Sequence, residues 1–245
     1  MSNDEEKGRV VSLSGQPIYR HGAEAAWAPP QGEMCLEQIS AHVAAHLGKV
    51  ETVLHEILSD TVHIDVHIVL PTEAFPYVRL VTSGMSDLPM AVPPEAADAP
   101  KYVELVVTLP RGWKLDQESF KDESWYWPVR LIKSLARLPH KHSTWLGWGH
   151  SVPNGDPAEP YAPNTKLAGA IILPSITVPD EFHTLTIDPE KEIRFYAVVP
   201  LYPDEMELKL RSGTGALLKK FGKTNITDAV SPARTNVGRK LFGLF

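Results

Sequence analysis

The stretch that most constrains this chain is Trp125 to Gly155, WYWPVRLIKSLARLPHKHSTWLGWGHSVPNG, which joins an amphipathic helix to a loop dense in Trp, Gly and His and holds four of the six tryptophans. At 100° per residue, Trp127, Leu131, Leu135 and Leu138 fall on one stripe, with Pro128 and Ile132 at its edge. Arg130, Lys133 and Arg137 fall together on the far side, so the period is that of a helix with one buried face. Pro128 is tolerable in a first turn. Pro139 predicts the end of the helix, because it removes an amide donor and constrains Leu138.

What precedes this stretch reads as sheet. A first helix is expected from Glu33 to Gly48, with Leu36, Ile39, Val43 and Leu47 as its apolar stripe and Gly48 closing it. Strands are expected at Val50–Leu58, Val62–Leu70, Tyr77–Gly84 and Tyr102–Leu109. In the second of these, Val62, Ile64, Val66, Ile68 and Leu70 alternate with His63, Asp65 and His67, which predicts a half-exposed strand with a polar outer face. Beyond the central helix, Val152 to Thr165 carries four prolines and reads as irregular loop. Strands then return at Gly169–Leu173, Phe182–Ile187 and Glu192–Leu201, and short helices at Asp204–Leu210 and Ala216–Phe221 close the body. The expected organisation is a mobile leader over residues 1–30, a folded domain over 31–230 and a C-terminal tail over 231–245.

A chain of 245 residues can bury a real core, and 43% apolar with 22% charged residues is ordinary for a globular protein. A net charge of −6 argues against a general nucleic-acid binder. The single Cys35 rules out an internal disulfide framework and suits a reducing cytoplasm. The longest apolar run, Leu167 to Leu173, is too short to span a bilayer, and the acidic N-terminus does not resemble a signal peptide. No membrane partner is expected.

Histidine is the first place to look for chemistry. His42 and His46 lie one helical turn apart, but Val43 stands where the zincin pattern needs its glutamate. His63, Asp65 and His67 could form a two-His, one-carboxylate site, although alternation alone places polar residues on that face. His140, His142 and His150 gather beyond the central helix, where some of them can simply favour its negative pole. Ser83 and Ser86 in TSGMSD have Asp87 and histidines available, but the nucleophile elbow is missing. Gly213-Thr214-Gly215 lacks the Gly-Lys-Ser/Thr of a phosphate loop. No catalytic residue, metal ligand or cofactor is assigned, and a metal-dependent hydrolase using one of the His clusters stands as the alternative reading. Trp145, Trp148 and Tyr161 are more informative. Large rigid aromatics in a Gly- and Pro-rich loop can anchor a partner, or they can fold inward and cover the sheet.

Several blocks, in order along the chain, resemble the suppressor of fused domain family in its bacterial form. They are VELVVTLPRGW, WPVRLIKSLARLPH, TWLGWGHSVPNGD, YAPNTKLAGAIILP and VVPLYPDEMELKLRSGTGALLKKFGKTNITDAV, with a weaker match in LVTSGMSDLPM; the resemblance spans about residues 33–237. It implies a non-enzymatic domain of mixed α+β architecture. The family's eukaryotic members are negative regulators of Hedgehog signalling that hold a zinc-finger transcription factor by taking a short segment as an added strand. Its bacterial members are regarded as immunity proteins that neutralise toxins of polymorphic, contact-dependent systems. The resemblance implies no second eukaryotic-type domain here. It places at Leu138 and Gly149 two partner-gripping positions where the eukaryotic proteins carry a Tyr and an acidic residue.

The expectation is therefore a single α+β domain, a largely antiparallel mixed sheet with helices packed against it, acting in the cytoplasm as a protein-binding module. Its partner would be a toxin domain, with a basic nuclease suiting the negative charge. The expected contact region comprises Leu138, Gly149 and Tyr161, with Trp145 and Trp148 as an apolar centre and His142, His150, Asp156 and Glu159 as a polar rim.

Overall fold

The computed structural model describes residues 10–22, 24, 26–32, 34–56 and 61–239. Helix α1 (Leu36–Leu47) buries Ile39, Val43 and Leu47, and Gly48, at φ 114°, turns the chain into β1 (Val50–Leu54). β2 (Asp65–Val69), β3 (Tyr77–Ser83) and β4 (Tyr102–Pro110) follow, then the long helix α2 (Glu123–Lys141). After β5 (Ser151–Pro153), β6 (Gly169–Leu173), β7 (Thr184–Asp188) and β8 (Lys191–Leu201), α3 (Pro203–Ser212) and α4 (Thr214–Lys223) complete the set. The first strand is shorter than the expected Val50–Leu58, and residues 57 and 58 of that range lie outside the described residues. β5 sits where irregular loop was expected. Phe182 belongs to a 3-10 turn ahead of β7 and is fully buried.

The strands form one sheet in the order β1-β2-β3-β4-β8-β6-β5, with β7 also paired to β8. Every pairing is antiparallel except β4 with β8. This is the largely antiparallel mixed sheet the sequence predicts, in an α+β domain. On one face α2 packs Trp127, Leu131 and Leu135 over Val66, Ile68, Leu80, Leu105 and Val107. On the other, α1 covers Val69, Val81 and Val106 together with Phe182 and Phe195. Further along that sheet, α3 and α4 cover Ile171, Val199 and Leu201 with Met206, Leu217 and Phe221.

Because helices cover both faces, the half-exposed β2 is not found. All five of its residues are buried, including Asp65 and His67. Alternation gave the inner set correctly for Val62, Ile64, Val66 and Ile68, whereas Leu70 is 44% exposed, and it could not show that the polar side would be covered as well.

The central helix departs from its expected limits at both ends. Asp122 accepts a hydrogen bond from the Ser124 amide at 2.8 Å and starts the helix a turn earlier than Trp127. Pro128 therefore lies in the second turn, where its missing N–H leaves the Ser124 carbonyl without its helical donor. The Asn164 side-chain amide donates to that carbonyl at 3.3 Å. Pro139 does not stop the helix, which runs on to Lys141 and is closed by the His142 amide donating to the Leu138 carbonyl. A proline so near the end forfeits only one intrahelical bond, and its own carbonyl accepts from the Thr144 amide at 2.9 Å.

Both ends of the described chain are tied to the body. In the N-terminal segment, the Ser14 amide donates to the Leu210 carbonyl, and Gln31 and Ala28 exchange backbone bonds with Thr61. In the C-terminal segment, Arg234 forks onto Glu205 of α3 with two contacts of 2.6 Å, and the Glu205 side chain is fully buried.

Candidate functional site

The loop between α2 and β5 is stitched to the sheet by its backbone. The Gly149 amide donates to the Ile172 carbonyl at 2.7 Å, and the Ile172 amide donates to the His150 carbonyl at 2.8 Å, prolonging the β5–β6 pairing. Gly149 has φ 77°, and a β-carbon there would stand 3.1 Å from the Thr214 hydroxyl at the start of α4. The torsion favours glycine, and a larger residue would also press on the Thr214 side chain.

The two indoles of this loop diverge. Trp145 is half-buried, packs against the α2 core and meets the His150 ring edge-on at 4.2 Å between centroids. Trp148 points the other way and is 53% exposed. The expected paired anchor is thus divided, with Trp145 inward and Trp148 outward. An apolar side chain reverses direction over three residues because Gly147, a β-carbon on which would lie 2.7 Å from the Trp145 ring, lets the backbone pass close to the indole.

Trp148 overhangs an apolar groove of about 380 Å³ lined by Leu173, Ile176, Val199, Leu218, Phe221 and Ile226. Ile176 is 71% exposed on its rim. Its position is enforced from below. The buried Asp228 carboxylate accepts the Ile176 amide at 3.1 Å, the Ser175 hydroxyl at 2.6 Å and the Thr177 hydroxyl at 2.8 Å. Arg79, itself buried, donates to the Thr177 hydroxyl at 2.8 Å and supplies the opposite charge. The network fixes the backbone at Ile176, whose side chain stays exposed at the rim of the groove.

The other expected contact residues are scattered around this loop. Leu138 packs at the margin of the α2 core. His142 stacks on His21 at 5.0 Å, and Tyr19 lies 6.3 Å from His150, so the N-terminal segment covers part of the loop. Burial pushes the His150 imidazole down to about 4, with the Lys209 ammonium adding to the effect, so its ring is neutral at physiological pH. Asp156 and Glu159 are exposed in the turn after β5. Tyr161 is a core residue, stacked flat on Trp127 at 5.2 Å with its carbonyl accepting from Arg130 at 2.9 Å. Sequence reasoning missed Ile176, Leu218, Ile226 and the N-terminal aromatics. The one available signal was Leu218, an apolar residue beside the buried Leu217 on a short helix.

The groups weighed for catalysis are placed differently from their sequence grouping. His42 is sandwiched between Phe182 and Phe195, with its Nε2 3.0 Å from the Phe182 carbonyl, and His46 packs edge-on against it. His140 reaches the Met85 carbonyl at 2.8 Å, so His140, His142 and His150 each have separate neighbours. His67 leaves the His63–Asp65–His67 grouping and lies 2.9 Å from the Ser83 hydroxyl. That Ser–His pair is buried, and the second ring nitrogen of His67 has no partner among the described residues. Ser86 is enclosed too, donating its amide and hydroxyl to the buried Glu104. Burial, then Glu104, pushes the neighbouring Asp87 up to about 7.

Comparison with known proteins gives the arrangement a family. Nothing among curated proteins matches. A protein described as a SUFU (suppressor of fused protein) homolog, from Neisseria gonorrhoeae FA 1090, superposes with a TM-score of 0.56 at 14% identity, covering 82% of this chain and 95% of that one. The structure of a Sufu–Fu complex gives 0.56 at 14% identity, over 86% of this chain and 93% of that one. Drosophila Suppressor of Fused gives 0.55 at 13% identity, over 87% of this chain but 53% of its own longer one. At such identities the structures establish a shared fold. The family model for Suppressor of fused protein (SUFU) matches residues 60–235, most of the chain, and the chain belongs to that family.

Proposed function

We propose that this chain is a protein-binding module, and that it works as an immunity protein by occluding the active surface of a toxin domain. The observation that carries the binding reading is Trp148 standing out over an apolar groove, with Ile176 fixed outward on the opposite rim. An exposed aromatic beside a preformed apolar trough suits a hot spot with a polar surround. A further feature of the fold supports it. β5, which leaves the loop directly, is the terminal strand of the sheet order and so a place for an added partner strand. Family membership points the same way, since a related structure is a complex of Sufu with a second protein, Fu.

The toxin assignment rests on the likeness to bacterial family members and on the net charge of −6, which suits a basic partner. The test is co-expression with toxin genes encoded beside this one. A cognate toxin should co-purify and its growth arrest should be relieved. Trp148→Asp should abolish both while leaving the fold intact. If no neighbour co-purifies or is neutralised, the immunity reading fails.

A further inference from the structure

At the edge of the sheet opposite β5, the geometry points to a ligand site of another kind: we propose that His55, His63 and Asp65 bind one divalent metal ion of the zinc class. The register explains why they meet. Leu54 pairs with Val66, so His55, just past β1, lies across from Asp65 at the start of β2, and His63 approaches from the chain entering β2. His55 Nδ1 is 2.9 Å from one Asp65 oxygen and His63 Nε2 is 3.0 Å from the other. One donor atom from each residue lies within 4.8 Å of the other two. A tetrahedral zinc ion with bonds near 2.1 Å needs donors about 3.4 Å apart, so only small side-chain adjustments separate this arrangement from a coordinating one. Two nitrogens and a carboxylate oxygen are a donor set suited to zinc and poorly suited to magnesium or calcium.

The surroundings resemble a prepared site more than a chance cluster. The Asp65 side chain is only 4% exposed, and the Glu56 amide donates to its Oδ1 at 3.1 Å, which fixes the carboxylate from behind. Glu56 in turn accepts the Ile64 amide at 3.2 Å and pairs with Arg137 of α2, holding both ends of the β1–β2 connection. The imidazoles face outward, His55 63% and His63 32% exposed, so an ion can enter from solvent. Three protein ligands leave a coordination position open for water or for a donor from another molecule. The competing cation is Lys133 of α2, whose ammonium interacts with Asp65. Among the described residues β1 is the outermost strand on this side and pairs with β2 alone, so an ion bridging the two strand ends would fasten the sheet edge.

The test uses the untagged full chain, stripped with chelator and titrated with zinc chloride by calorimetry. One equivalent should bind with micromolar or tighter affinity, and Tm should rise by several degrees in excess zinc. His55→Ala and His63→Ala should each weaken binding at least about tenfold, and the double variant should lose it while its metal-free Tm stays within about 2 °C of the parent. Should the double variant fold poorly, His55→Ala alone carries the test, because that ring is mostly in solvent. Absence of saturable binding in the parent chain, or unchanged affinity and stoichiometry in His55→Ala, overturns the proposal.

Discussion

Single residues in this chain separate cleanly into those that hold the fold and those free to meet something else. Trp127, fully buried between Trp113 and Tyr161, belongs to the first group, and Trp127→Ala should cost about 3–5 kcal/mol in chemical denaturation. Trp148, with half its surface in solvent, belongs to the second. Trp148→Ala should change stability by less than about 1 kcal/mol, and a large loss would mean that the groove is part of the core. Asp87 supplies a third kind of test. It faces Glu104, Lys191 and His63, and burial followed by Glu104 raises its carboxyl from 3.8 to about 7. A raised folded pKa means that the native state holds the proton more tightly than the unfolded chain does. The stabilisation is complete below the unfolded value and is lost as pH climbs from about 4 through about 7. Asp87→Asn removes that titration, so stability of the variant relative to the parent should rise across this window and level off above it. A difference independent of pH would show that Asp87 ionises normally.

At the scale of elements, legibility followed periodicity. β3, β4, β6 and β8 fall within a residue of where alternation and β-branched content place them, and the stripe of α2 is the one that packs on the sheet. What the sequence withheld was cover. Nothing in the β2 pattern shows that His67 is enclosed, nor that Asn164, distant in sequence, donates to the carbonyl freed by Pro128. The site was half legible for the same reason. The loop and its exposed Trp148 could be located from composition, whereas the groove needs Ile176, Leu218 and Ile226, which only the fold brings together. The N-terminal segment is attached differently. Among the described residues between 19 and 27, the contacts to the body are side-chain ones, His21 on His142, Tyr19 near His150 and Glu24 with Lys141 at 3.1 Å. Such a strap opens at far lower free energy than a sheet interior. In native-state hydrogen exchange its amides should exchange long before those of β4 and β8. Removing residues 1–22 should leave the folded body intact while exposing His142 and His150 to chemical modification. Protection of the strap equal to that of the sheet would make it an integral part of the domain.

For the molecule as a whole, one sheet joins all three apolar clusters, because β4 and β8 contribute to clusters on both faces. No internal boundary interrupts that continuity, so thermal unfolding should show the same midpoint by tryptophan fluorescence and by far-ultraviolet circular dichroism. The molecule also acts as a single electrostatic body, carrying 30 acidic against 24 Lys and Arg residues. If its partner is a basic toxin domain, long-range attraction speeds encounter while the apolar contact at Trp148 governs how long the complex lasts. These two contributions respond differently to salt, since a Debye length of about 10 Å at 0.1 M shrinks to about 3 Å at 1 M and screens only the charges in solvent. With a cognate toxin in hand, stopped-flow association should therefore slow at least about tenfold between low salt and 0.5 M, with dissociation changing little. Trp148→Ala should do the reverse, speeding dissociation and leaving the salt dependence of association untouched. Association insensitive to salt would remove the charge argument for a basic partner, and dissociation unaffected by Trp148→Ala would move the contact away from the groove.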